Sequence, residues 1–200
     1  MGVPSVLIVL VAIGGVFGSV DVATVALADE AGQRAIAGLI LASYAVGSMA
    51  SALVLGSRSG GASDDRLPRQ LLVASIALLV VTLPLLLRPT LLALGVLVLL
   101  AGLAVSPVLI TGFSLVEALV QPTQITEGLS WAISAIAFGV AASAAGTGWL
   151  VDRAGPQAGF LVTLGSAALV AVAAVAHRVH AAVRGADQDH KKLNKQRKNI

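Results

Sequence analysis

The chain has 200 residues, 57% of them hydrophobic and only 12% charged, with a mean hydropathy of +0.94 and a formal net charge of +3. Soluble domains average roughly 25% charged residues, so the composition excludes a water-soluble globular protein and makes a lipid bilayer the solvent. With no cysteine, and with its three histidines at His177, His180 and His190, the chain has neither a disulfide framework nor a thiolate metal site.

Crossing about 30 Å of hydrocarbon takes about 20 mostly apolar helical residues. Six segments meet that length, at residues 3–28, 35–56, 71–87, 90–116, 128–151 and 157–176. They are separated by the turn and charge signals "DEAGQR", "SRSGGASDDRLPRQ", "RP", "EALVQPTQITE" and "DRAGP". The fold class is therefore all-α and integral to the membrane, with a transmembrane domain over 1–176 and a basic, disordered tail over 177–200.

The first segment contains "GSVDVATVALA", in which Asp21 interrupts an apolar run. An acidic side chain at the bilayer centre costs about 2.5–3.5 kcal/mol on insertion scales, so it faces the protein interior, a wet cavity or the outer interface. Ser19 and Thr24 lie within a turn of it. A signal peptide cleaved after "ALA" is the competing reading, and three features oppose it: no Lys or Arg precedes the run, the run is long, and Asp21 sits inside it.

Further along, Gly14 with Gly18, Gly47 with Ser51, and Gly139 with Ser143 are small residues at four-residue spacing, which lets helix backbones approach closely in lipid. Gly146 and Gly148 extend the small-residue pattern of the fifth segment. Tyr44 and Trp131 are the aromatics expected to face inward, with interfacial anchoring the alternative for Trp131 and Trp149. Ser48, Thr111 and Ser134 join Asp21, Tyr44 and Trp131 as candidates for a substrate or proton pathway. Pro107 interrupts the fourth segment and frees a backbone carbonyl, for which Ser106 and Thr111 are the nearby hydroxyls. Glu117 and Glu127 bracket the next connection, where Glu127 also suits a helix N-terminus.

Arginine placement sets the topology, because cytoplasmic loops carry the excess of Lys and Arg. Odd-numbered connections hold Arg34, Arg88 and Arg153, whereas the even side holds Arg58, Arg66 and Arg69 and then seven basic residues of the tail. Both termini are expected in the cytoplasm of a multi-pass cell-membrane protein. All four lysines and both asparagines fall in the last ten residues, a shift that fits either an appended sequence or a polybasic patch at anionic headgroups.

An internal repeat is also visible. "AVGSMASALVLG" (45–56) lies over "AFGVAASAAGTG" (137–148) with six of twelve positions identical, pairing the second helix with the fifth. Two three-helix units follow, the second inverted relative to the first, as in many secondary transporters. No catalytic or nucleotide-binding signature occurs, and no two histidines share a span, so neither an enzyme, a metal site nor nucleic-acid binding is expected.

The run "VLITGFSLVEALVQPTQITEGLSWAISAIAFGVAASAAGTGWLVDRAGPQAGFLV" (108–162) resembles the tenth to twelfth helices of a major facilitator superfamily transporter of the small-molecule efflux type. "AGLILASYAVGSMASALVLGSR" (37–58) is similar to the eighth. The pattern is carried by Gly139, Gly146, Gly148, Asp152, Arg153, Gly155 and Phe160, and it maps residues 1–176 onto the C-terminal six-helix half. The glycines of the fifth helix resemble the antiporter-type motif of the equivalent helix in the other half. The resemblance implies alternating access, a cavity lined by the first, second, fourth and fifth helices, the proton gradient as driving force, and no cofactor. It also makes Asp21 and Tyr44 substrate or proton contacts. The second loop keeps Gly56, Arg58, Arg66 and Arg69 as gating candidates but scrambles the family's Gly-x-x-x-Asp-Arg-x-Gly signature, and Glu117, Glu127, Asp152 and Arg153 are the remaining loop candidates. The expected partners are the lipid bilayer, a small-molecule substrate, and either a second six-helix half or a second copy of the chain. Proton-coupled export of a small organic molecule is the leading function, and a non-transporting membrane subunit or truncated remnant that scaffolds a partner is the alternative.

Overall fold

A computed structural model describes residues 3–58, 67–87 and 89–176. Among the described residues there is no strand, and six helices are long and apolar enough to cross a membrane. They are α1 (Val3–Glu30), α2 (Arg34–Arg58), α3 (Leu67–Thr82, continued by a 3-10 segment Leu83–Leu87), α4 (Leu91–Leu119), α5 (Ile125–Ala154) and α6 (Pro156–Ala176). Arg66 and the tail 177–200 lie outside the described residues.

Local chemistry explains the ends. α1 stops at "DEAGQ", where the Gly32 amide donates to the Asp29 carbonyl at 2.9 Å and the Gln33 amide to the Ala28 carbonyl at 2.9 Å. This six-to-one and five-to-two pairing needs a left-handed residue, and Gly32 supplies it with φ 69°. Pro84 accounts for the one departure from a continuous third helix: it has no N–H to return to the preceding turn, and the chain tightens into the 3-10 segment there. α4 starts at Thr90, whose hydroxyl accepts from the Ala93 amide at 3.3 Å, and Pro122 holds Gln121 extended between α4 and α5.

Two helix pairings dominate the bundle, α1 with α5 and α2 with α4, while α3 packs on α4 and α6 on α1 and α5. Exchanging the two three-helix units turns the α1–α5 pairing into α4–α2 and the α3–α4 pairing into α6–α1, as an inverted repeat requires. The correspondence holds residue by residue at the closest approaches. A Cβ on Gly47 would strike the Leu99 carbonyl, and one on Gly139 the Val11 carbonyl; one on Gly102 would strike the Tyr44 carbonyl, and one on Gly14 the Ile136 carbonyl. Tyr44 and Ile136, like Gly47 and Gly139, are 92 residues apart, while Val11 and Leu99, like Gly14 and Gly102, are 88 apart. The chain is thus a six-helix half of the transporter type built on a three-plus-three inverted repeat.

The same register relates Gly18 to Ser106. Gly18 lies against the Val140 carbonyl without room for a Cβ, whereas Ser106 donates its hydroxyl to the equivalent carbonyl, that of Ser48, at 2.6 Å. Ser106 therefore does not cap the carbonyl freed by Pro107, as its position in sequence suggests; its hydroxyl joins α4 to α2. The Ser48 hydroxyl lies 2.7 Å from that of Ser106, and Ser43 donates to the Gly95 carbonyl at 3.0 Å across the same pair of helices.

Within this chain Gly146 and Gly148 are not at a close approach: a Cβ at either meets nothing within 4 Å. The buried row of α5 runs through Gly139, Ser143 and Thr147, and this four-residue step winds off Gly146 by the C-terminal end of the helix. Gly14, Gly18, Gly47 and Gly139 do pack as their spacing predicts.

Candidate functional site

α1 is the central helix, with 67% of its most apolar window buried, while α2 and α5 are only 22% buried over theirs. Asp21 is exposed where α1 comes to the surface. Its depth follows from the helix rise: Asp29, exposed at the end of α1, is eight residues further on, so Asp21 lies about 12 Å below the helix end at ~1.5 Å per residue. That puts it between the middle of the 28-residue helix and its C-terminal end. Tyr44 is ten residues into α2, or about 15 Å from the same end of the bundle. The two side chains share a level.

Tyr44 is 5% exposed, and its ring meets Phe17 edge to face at 5.5 Å between centroids and 86° between planes. The contact comes from the packing of α1 on α2, and Phe17 and Asp21 are one helical turn apart on the same side of α1. The Asp21 carboxylate is near enough to act electrostatically on the Tyr44 hydroxyl. That hydroxyl is buried and has no hydrogen-bond partner, an arrangement that leaves a donor and an acceptor to be satisfied by something that enters. One turn further along α2, Ser48 carries the paired hydroxyls of Ser48 and Ser106. Tyr44 and Ser48 thus lie one turn apart on α2, the first packed on Phe17 of α1 and the second bonded to Ser106 of α4.

The other pathway candidates are elsewhere. Thr111 is buried within α4, about 12 Å from the Leu119 end by the helix rise. Trp131, 59% exposed, and Ser134 lie on the unpartnered face of α5 in its first half. Within this chain Tyr44 is buried, whereas Trp131 is not, because the buried row of α5 passes through Gly128 and Ala132. Glu117 and Glu127 are both exposed, and Glu127 occupies the first turn of α5, where the helix dipole favours a carboxylate. At the other end Asp152 is exposed, and the Arg153 guanidinium lies 4.0 Å from the centre of the Trp149 ring, a cation–π contact. Gly56 sits in the last turn of α2, and Arg58 ends that helix.

Phe17 and Ser106 were the residues that sequence reasoning did not place in the site. Phe17 carried a signal in its four-residue spacing from Asp21. Ser106 carried one only through its equivalence to Gly18, which needs the register of the repeat. Among the described residues no group of acidic or histidine side chains is arranged to hold a metal ion.

No curated protein and no solved structure gives a significant match to the chain. A family model does match, that of the Major Facilitator Superfamily, over residues 3–199. With six spanning helices, an inverted repeat related through Gly14, Gly47, Gly102 and Gly139, and a family match across almost its whole length, the chain belongs to the Major Facilitator Superfamily of membrane transporters.

Proposed function

We propose that the chain forms the C-terminal six-helix half of a proton-coupled exporter of a small organic molecule, with both termini in the cytoplasm. The observation that carries the reading is the Asp21 carboxylate, inside a spanning helix about 12 Å from its end and near enough to act electrostatically on a buried Tyr44 hydroxyl that has no hydrogen-bond partner. An acidic group at that depth is expensive unless it meets water, protons or a ligand, and alternating access provides that. The α2 and α5 faces that carry Val46, Met49, Leu53, Phe138 and Trp149 are exposed and equivalent under the repeat. A second six-helix half covering both faces would close the cavity over Asp21, and the proton gradient would supply the work without a cofactor.

The test is flux through proteoliposomes containing the 200-residue chain, with an imposed pH gradient and a panel of cationic, neutral and anionic organic compounds, compared with Asp21→Asn. Gradient-driven flux that falls at least tenfold in the variant is expected. A folded, monodisperse chain that moves none of the panel under any gradient, either alone or reconstituted with a second six-helix half, sinks the transport reading and favours the alternative, a membrane subunit that scaffolds a partner.

A further inference from the structure

The two dominant helix pairings are equivalent under the repeat but are not fastened alike. Side chains join α2 to α4: the Ser43 hydroxyl donates to the Gly95 carbonyl at 3.0 Å, the Ser106 hydroxyl donates to the Ser48 carbonyl at 2.6 Å, and the hydroxyls of Ser48 and Ser106 lie 2.7 Å apart. Among the described residues no side-chain hydrogen bond joins α1 to α5 or to α6. Ser19 and Ser143 instead return their hydroxyls to their own helices, at 2.7 Å from the Gly15 carbonyl and 3.1 Å from that of Val140, as short hydroxyl side chains in helices do. Thr24, Thr147 and Thr163 do neither: all three are fully buried, and their hydroxyls have no partner in the protein. They belong to one seam. A Cβ on Gly159 of α6 would stand 3.0 Å from both the Ala23 Cβ of α1 and the Thr147 Cγ2 of α5; Thr24 follows Ala23 in the chain, and Thr163 is one turn from Gly159.

A buried hydroxyl without a partner bears its desolvation cost with nothing returned, so the seam has a reason to shift to a second packing in which these hydroxyls reach each other or a carbonyl. Little resists the shift at the closest approaches: at Gly14, Gly18 and Gly139 backbone lies directly on backbone, and shear of packed helices by about 1–2 Å is an ordinary amplitude for such transitions. We propose that the bundle flexes asymmetrically. α1 slides on α5 and α6 between two packings, with Thr24, Thr147 and Thr163 unpartnered in this one and bonded in the other, while α2 and α4 move as one clamped unit. Asp21 and Phe17 lie on α1 and Tyr44 on α2, so the slide changes how the carboxylate stands to the Tyr44 hydroxyl. This motion is internal to the chain and does not rest on the transport reading.

The experiment is fluorine NMR of the 200-residue chain in lipid nanodiscs. The chain has no cysteine, so a trifluoromethyl tag on one introduced cysteine reports one place. Ala154→Cys tags the end of α5, the helix that packs on α1, and Leu92→Cys tags the start of α4, the helix that packs on α2; both positions are exposed. Glu30→Cys, at the exposed end of α1, repeats the α5 reading from the other side of the seam. Two exchanging resonances are expected from the α5 and α1 tags and one from the α4 tag. Thr147→Val and Thr163→Val, which each remove a hydroxyl that bonds only in the second packing, should shift the two populations in the same direction by about threefold, the equilibrium factor of one average intramembrane hydrogen bond. Thr147→Ser keeps the hydroxyl and should hold the populations near those of wild type. Each variant is compared at matched helicity and monodispersity. A single resonance at the α5 and α1 tags, the same two-state pattern at the α4 tag, or populations that Thr147→Val leaves unmoved overturns the proposal. So does a clear loss of stability in Thr147→Val, because the hydroxyl would then already be bonded in this packing.

Discussion

Replacing Gly14 by alanine tests the packing on which the whole bundle depends. A Cβ at Gly14 would lie 3.0 Å from the Ile136 carbonyl carbon and 3.1 Å from its Cα, and closer still to the carbonyl oxygen. The obstacle is backbone, which has no rotamer with which to step aside, so α5 must move away from α1 by about 1 Å. A gap of that order forfeits a quarter to a half of each contact's dispersion energy, at ~0.1–0.2 kcal/mol per atom pair, and this contact is one of the two dominant pairings. Overpacking of this kind costs about 1–3 kcal/mol, against which alanine recovers about 0.5–1 kcal/mol of helix propensity. The net expectation is a loss of about 1–2 kcal/mol for Gly14→Ala, and the same for Gly102→Ala, because Gly102 faces the Tyr44 carbonyl in the equivalent geometry. Gly146→Ala meets nothing within 4 Å and should gain up to about 1 kcal/mol. SDS titration of the purified protein in mixed micelles, followed by circular dichroism, reads these differences. If Gly14→Ala is as stable as wild type, or if Gly146→Ala loses as much as Gly14→Ala, the close-approach reasoning is wrong.

Three further outcomes follow from individual side chains and use the same unfolding titration. Ser106→Ala removes the 2.6 Å bond to the Ser48 carbonyl and leaves the Ser48 hydroxyl without its partner; intramembrane hydrogen bonds average about 0.6 kcal/mol and reach about 1.7, and a double-mutant cycle with Ser48→Ala, which keeps the carbonyl, should show coupling in that range, whereas strict additivity would contradict the contact between the two hydroxyls. Thr147→Val takes away a buried hydroxyl that has no partner, so it should be neutral or stabilising by about 1 kcal/mol; a clear loss of stability would mean that the hydroxyl is satisfied. Gly155, at φ 84° and ψ 168°, joins α5 to α6 in a region open essentially to glycine alone, so Gly155→Ala should cost about 1–3 kcal/mol, and a neutral result would show that the turn relaxes freely.

Much of the architecture is legible in the residues themselves. Six apolar runs of spanning length can only be helices in lipid, since every backbone N–H and C=O must be satisfied within its own segment. "DEAGQ" and the tract around Pro122 end their helices by short-range chemistry. The match between "AVGSMASALVLG" and "AFGVAASAAGTG" is confirmed at Gly47 and Gly139, which meet equivalent carbonyls. Family membership also shows in the residues, through the glycine pattern of the fifth helix.

Tertiary structure decided what periodicity cannot. Gly139 and Gly146 are seven residues apart and nearly eclipsed on a helix, yet one is buried against α1 and the other is open, because the crossing angle between helices selects which row of side chains stays in contact. Ser106 reads as a local partner for the Pro107 kink, but its hydroxyl bonds to α2, a choice set by how close a neighbouring helix comes. Asp21 gave the same lesson in the site: its residue type identified a group that needed a reason to be in the membrane, and only the packing of α1 on α2 brought the Tyr44 ring against Phe17 and its hydroxyl within electrostatic reach of the carboxylate. Which segments are helical is governed by the solvent and by residues a turn apart; which side chains meet is governed by contacts between residues far apart in the chain.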